Sequence, residues 1–254
     1  MKWFLSWKVL LLIVLAGIGG LACSDDTKRV LLATEGDYHP FNFINDTEEI
    51  DGLERELGDE LCLRADLDCE WVLNDWESMI PDLVAGDFDA IMAGMSITGK
   101  RDMIIDFTEP YYPPTPSVYL ALAGAGDEAV QGRLGAYANT IYSDYFNEQG
   151  IPYVEFGDED DRLAALLSGD IDAMLVDHAY ATEKLSEYEG RLAVVGPSLL
   201  LDQGIGIGVH NNNELLAKLN SALASMKSDG TLNELIRKWV GENASTFQPI
   251  LNAS

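Results

Sequence analysis

One unit of this chain occurs twice, as LVAGDFDAIM at 83–92 and LLSGDIDAML at 166–175. Each copy sets a Leu-rich helical stretch before a Gly-Asp turn and a short apolar run. Gly86 and Gly169 suit the left-handed residue that ends a helix. Residues 90–92 and 173–176 suit buried strands. Helix alternating with strand predicts parallel sheets. Two copies of the unit predict two similar α/β lobes with equivalent strands.

In open α/β sheets ligands sit beyond the carboxyl ends of the strands, so the residues after each copy matter most. Five residues on from Asp89 stands Gly94, with Ser96, Thr98 and Arg101 close behind; five on from Asp172 stands Asp177. One lobe offers a glycine loop, hydroxyls and a guanidinium, and the other a carboxylate. A molecule held between them needs an anionic and a cationic end, as an α-amino acid has. The stretch AGMSITGKR at 93–101 puts Gly94, Gly99 and Lys100 at the G-x-x-x-x-G-K spacing of a phosphate loop. Arg101 stands where that loop needs Ser or Thr to hold magnesium. Arg grips carboxylates through two parallel hydrogen bonds, so the loop is read as a carboxylate site. A second glycine run, GIGIG at 204–208, lacks dinucleotide spacing. It reads as a strand returning to the first lobe, and the NNNELL after it as an ordinary helix start.

The N-terminal segment MKWFLSWKVLLLIVLAGIGGLACSDD has Lys2 and Lys8 before an apolar core and small residues. It reads as a secretory signal over 1–22, its core too short for a comfortable permanent span. Gly20-Leu21-Ala22 suits an ordinary signal peptidase. Leu21-Ala22-Cys23 resembles a bacterial lipobox, which makes Cys23 the candidate lipidation site at the head of a tether, 23–28. The cysteine count is three, Cys23, Cys62 and Cys69, and an odd number in an exported chain points to one with a separate fate. Net charge is −27. Without Lys2 and Lys8 there are 14 basic against 43 acidic residues, or −29. With no basic cluster to meet phosphates, a general nucleic-acid binder is excluded. His39, His178 and His210 show no metal-ligand spacing, and no metal or other cofactor is expected.

Several further motifs fall in order along the chain: EGDYHPFNF (35–43), IDGLERELGDELC (50–62), WESMIPDLVAGDFDAIMAGMSITGKR (76–101), DFTEPYY (106–112) and SDGTLNELIRKW (228–239). Over 30–241 the chain resembles the bacterial extracellular solute-binding proteins of family 3, the polar amino-acid receptors of ABC importers. The resemblance implies two Rossmann-like α/β lobes joined by two crossover strands, the type II periplasmic-binding-protein fold. Lobe 1 is expected at 29–114 and 205–254, lobe 2 at 115–204, with the crossings near 112–118 and 196–208. Cys62 and Cys69, just before Trp71, resemble a pair that forms a disulfide in the lysine/arginine/ornithine and histidine receptors.

Residue by residue, the resemblance makes Arg101 the clamp on the ligand's α-carboxylate and Ser96 a hydroxyl near its α-groups. Gly94 stands where relatives often carry Ser. Asp177 matches the partner of the α-ammonium, and Thr140 with Asn139 the second-lobe loop that closes on the carboxylate. Tyr38 and Trp76 match two aromatics that sandwich the side chain, and Glu35 the acid at the far end. By residue type alone, Tyr38 and Trp76 read as core aromatics, Glu35 as a surface acid, and Asp177 as a helix N-cap. Two aromatic faces with a carboxylate beyond them suit a cationic side chain. The expected function is capture of a polar, cationic L-amino acid (arginine, lysine, ornithine or histidine) for uptake by an ABC permease. The protein is then an exported, lipid-anchored monomer with no catalytic residue. Two rivals stand beside this reading. One is a cyclohexadienyl dehydratase-like enzyme, in which a catalytic Glu is expected where Tyr180 stands, with Glu183 one turn further. The other is a ligand-sensing input to a membrane receptor.

Overall fold

Residues 29–211 and 214–248 are described by the computed structural model. The expected signal segment, the tether and Cys23 lie outside these residues. The chain first lays down β1 (Val30–Thr34) and three short strands, β2 (Asp37–Tyr38), β3 (Asn42–Ile44) and β4 (Ile50–Asp51). Then come α1 (Leu53–Ala65), β5 (Cys69–Leu73), α2 (Met79–Ala85), β6 (Ala90–Ile91), α3 (Gly99–Asp102) and β7 (Asp106–Phe107). After a crossing follow β8 (Ser117–Leu122), β9 (Leu134–Tyr137), α4 (Ile141–Gln149), β10 (Tyr153–Phe156), α5 (Glu159–Ser168), β11 (Ala173–Val176), α6 (His178–Glu187) and β12 (Leu192–Leu199). A second crossing returns the chain to β13 (Gly208–Val209), α7 (Glu214–Asp229) and α8 (Thr231–Val240).

Two five-stranded sheets result, ordered β5-β1-β6-β13-β7 and β10-β9-β11-β8-β12. The repeated units occupy equivalent places: α2 and α5 end in Gly86 at φ 87° and Gly169 at φ 81°, and β6 and β11 are wholly buried. The sheets are not purely parallel, which corrects the expectation from alternation. β13 runs antiparallel to β6 and β7, and β8 runs antiparallel to β11 and β12. In each sheet the reversed strand is the one entered from a crossing. Gly208, where β13 begins, faces Ile91 at the end of β6, and Val118 on β8 faces Val176 at the end of β11. A chain arriving at the carboxyl edge of a parallel sheet has to run back down it. Ile205 bridges both Ser96 and Tyr112, so the two crossings lie side by side. Pro113, Pro114 and Pro116 stiffen the first.

Each sheet has its own core. In the first, Leu53, Leu57 and Leu61 recur along α1 at helical spacing and pack with Leu219, Leu223 and Met226 of α7 and Ile236 of α8. In the second, Leu163 and Leu166 of α5 pack with Met174 of β11 and Leu120 of β8. Cys62 and Cys69 are bridged, which ties the last turn of α1 to the start of β5. Among the described residues no helix is long and apolar enough to cross a membrane.

Candidate functional site

Arg101 is positioned by its own helix. The Thr98 hydroxyl caps α3 by accepting from the Arg101 amide at 3.2 Å. The side chain is 7% exposed and its guanidinium lies 5.3 Å from the centre of the Trp76 ring. It donates to the Ser96 carbonyl at 3.0 Å and, across the cleft, to the Asn139 carbonyl at 3.1 Å. Burial lowers its pKa to about 10, with Asp144 and Asp202 acting the other way, so it is charged at neutral pH.

Asp177 serves two ends at once. One carboxylate oxygen accepts from the Tyr180 amide at 2.8 Å and caps α6. The other accepts from the Tyr38 hydroxyl of the opposite lobe. Burial raises its pKa, opposed by that hydroxyl and by the amides of Tyr180 and Ala179. Cap and cleft carboxylate are therefore one residue, because a helix that starts at the carboxyl edge of a sheet starts in the cleft.

Gly94 is tied to the core of the first lobe through its backbone. Its amide donates at 2.7 Å to Glu54, a fully buried carboxylate that also accepts from Asn42 at 2.6 Å and from the Tyr111 hydroxyl. That amide therefore faces the core, away from the cleft. What glycine allows is the approach of Tyr38: a Cβ on Gly94 would sit 2.6 Å from the Tyr38 ring. The Tyr38 ring stacks on Phe41, centroids 5.1 Å apart.

Glu35 follows β1 and meets the second lobe directly, accepting from the Tyr137 hydroxyl at 2.6 Å. Its pKa is raised to about 7, first by burial and then by Asp37, Glu159 and Asp75, while the Tyr137 bond acts against the rise. Trp76 offers one face to Arg101 and lines the same cavity as Tyr38. Its ring nitrogen is buried without a partner.

In the second-lobe loop Asn139 adopts a left-handed conformation at φ 57° and contributes its carbonyl, not its side chain, to Arg101. The Thr140 hydroxyl donates to the Tyr137 carbonyl at 2.7 Å and caps α4.

One cavity gathers Glu35, Tyr38, Trp76, Gly94, Ser96, Arg101, Thr140 and Asp177; Asn139 is outside its lining. The cavity also takes in residues that motif spacing does not single out, among them Tyr137, Tyr142, Glu159, Arg162 and Asp202. Tyr180, the position at which the dehydratase reading needs an acid, lines it as well. At the rim Lys100 pairs with Asp144 at 2.5 Å, and His39 Nδ1 lies 2.9 Å from Glu183. The lysine of the near-phosphate-loop thus ties the lobes together.

The chain resembles proteins of known kind over most of its length. It is 31% identical to the putative ABC transporter arginine-binding protein 2 of Escherichia coli K12, covering 91% of this chain and 98% of that one. It is 32% identical to the histidine-binding periplasmic protein of the same organism, covering 84% and 87%. A crystal structure of a periplasmic His/Glu/Gln/Arg/opine family-binding protein from Silicibacter pomeroyi, in complex with lysine, superposes with a TM-score of 0.82 at 48% identity, covering 86% of this chain and all of that one. The family model of the bacterial extracellular solute-binding proteins, family 3, matches residues 30–242. By that match, and by the two-lobed fold with its shared cleft, the chain belongs to family 3 of the bacterial extracellular solute-binding proteins.

Proposed function

We propose that the chain captures a cationic L-amino acid (arginine, lysine, ornithine or histidine) between its lobes and presents it to the permease of an ABC importer. The observation that carries this reading is one cavity lined by a buried guanidinium, Arg101, and a half-buried carboxylate, Asp177, with Glu35 beside them. Arg101 takes the ligand's α-carboxylate and Asp177 its α-ammonium. Ser96 and Thr140 flank the α-groups, Tyr38 and Trp76 line the side chain, and Glu35 receives its cationic end. The ammonium takes the Asp177 oxygen that the Tyr38 hydroxyl holds, so binding exchanges an internal bond for a ligand bond. The proposed lobes are 29–114 with 205–254 and 115–204, a division that the sheet memberships support for the described residues, 212–213 and 249–254 lying outside them. The ligand favours the closed form only as far as it binds that form better than the open one.

The absence of an acid at Tyr180 counts against dehydratase chemistry. Bridging of Cys62 with Cys69 leaves Cys23 as the odd cysteine, which supports a lipid anchor there on an exported monomer. Isothermal calorimetry across the twenty amino acids tests the ligand class. Micromolar binding of cationic amino acids, about 8 kcal/mol, is expected. Preference for glutamate or glutamine over every cationic ligand would overturn it.

A further inference from the structure

Helix α5 carries an ion pair on its buried stripe: Glu159, Arg162, Leu163 and Leu166 are all buried. Arg162 is 3% exposed, donates to Glu159 at 2.5 Å and to the Leu175 carbonyl at 3.3 Å, and keeps its Nε without a partner. Its guanidinium stands 6.0 Å from the centre of the Tyr180 ring. A buried ion pair costs desolvation that apolar side chains at the same positions would not, so packing alone does not account for it. Its place does. α5 starts just after β10, at the cleft edge of the second sheet, and both residues line the cavity together with Glu35 and Asp37 of the first lobe. Glu159 sits in the first turn, at the cavity, and Arg162 lies one turn deeper, about 5 Å along the axis.

We propose that Glu159, oriented by Arg162, is a second carboxylate of the side-chain subsite, presented from lobe 2 opposite Glu35, and that it determines selectivity for a cationic ligand tip. The inference rests on the amino-acid reading of the cleft. With Arg101 and Asp177 matched to the ligand's α-groups and Arg162 balancing Glu159, Glu35 and Asp37 leave the subsite negative. The subsite then favours a positive charge, held between two carboxylates from opposite lobes. Arg162 fixes the rotamer of Glu159 and prevents two unbalanced acids from repelling each other across the closed cleft. Glu159 touches the ligand; Arg162 is a positioning residue.

The test titrates wild type and Glu159→Gln with arginine and with citrulline, which has the same shape without the charge. Calorimetry is run at about pH 8, above the titration of Glu35. The Gln variant keeps an oxygen for Arg162 and removes only the charge. Arginine affinity is expected to fall about tenfold while citrulline changes less than twofold. An unchanged arginine-to-citrulline ratio overturns the inference, and so does an equal loss for both ligands, which would mark a structural role. If wild type binds no cationic amino acid, the functional reading itself fails; if it binds them and the ratio holds in the variant, only this inference does. Arg162→Gln is the second variant. It should lower the ratio severalfold with Arg162→Lys restoring part of it, and a ratio insensitive to both counts against the positioning role.

Discussion

The guanidinium of Arg101 in the first lobe donates to the carbonyl of Asn139 in the second, 3.1 Å away. One side chain thus serves both as the proposed anion site and as a tie between the lobes. Arg101→Met should keep its fold, as circular dichroism would show, and lose ligand affinity by about 100-fold or more. Two charge-assisted hydrogen bonds at roughly 1.5–3 kcal/mol each are removed. Arg101→Lys should recover only part of the loss, since an ammonium cannot make the planar fork. Calorimetry with arginine reads both.

Glu35 titrates near neutrality, at about 7 instead of 4.5. In the proposed reading the ligand's cation meets the Glu35 carboxylate, so affinity for cationic ligands should rise with pH up to about 7 and level off above. Below that it should fall by up to tenfold per pH unit. Stability of the free protein follows the opposite course. The folded state keeps its proton over the window between the two values while the unfolded chain has lost it, so stability drops as pH rises through that window. Glu35→Gln should flatten both profiles, read by calorimetry and by thermal melts between about pH 4 and 8.

Gly94→Ser tests what the glycine is for. If relatives' serine merely adds a hydrogen bond, affinity should improve. The geometry says otherwise: the new Cβ would meet the Tyr38 ring at 2.6 Å, at a backbone φ of 61°. Ligand affinity is expected to fall severalfold, with a stability loss of about 1–2 kcal/mol from the left-handed conformation. Affinity equal to or above wild type would refute this role.

The Cys62–Cys69 bridge joins α1 to the amino end of β5, on the side of the sheet away from the cleft. Replacing both cysteines by alanine should cost about 2 kcal/mol, the low end for a short loop. That corresponds to about 4–8 °C in melting temperature. Ligand affinity should stay within twofold, because the cleft walls are at the other end of the strands.

The repeat at 83–92 and 166–175 was sufficient to place two lobes, because helix caps and buried strands are local patterns. The Gly94–Arg101 loop and Asp177 were legible as opposite charges for the same reason: each follows its strand at a fixed offset. Local pattern stops there. That β8 and β13 run against their neighbours depends on where the chain enters each sheet. That the Gly94 amide binds Glu54 rather than facing the cleft depends on a helix 40 residues away in sequence. Arg162 lies on the i, i+3, i+4, i+7 stripe with Glu159, Leu163 and Leu166, so a helical-wheel reading could have marked a cation at a core position. Its role still required knowing which face of α5 meets the cavity. The sequence determined that Arg101 and Asp177 each follow a strand of their own lobe, since short-range backbone sterics and periodicity decide that. Only the tertiary structure decided which charges face one another, because the pairs Tyr38–Asp177 and Glu35–Tyr137 join residues 139 and 102 positions apart and exist only when both lobes are folded and brought together.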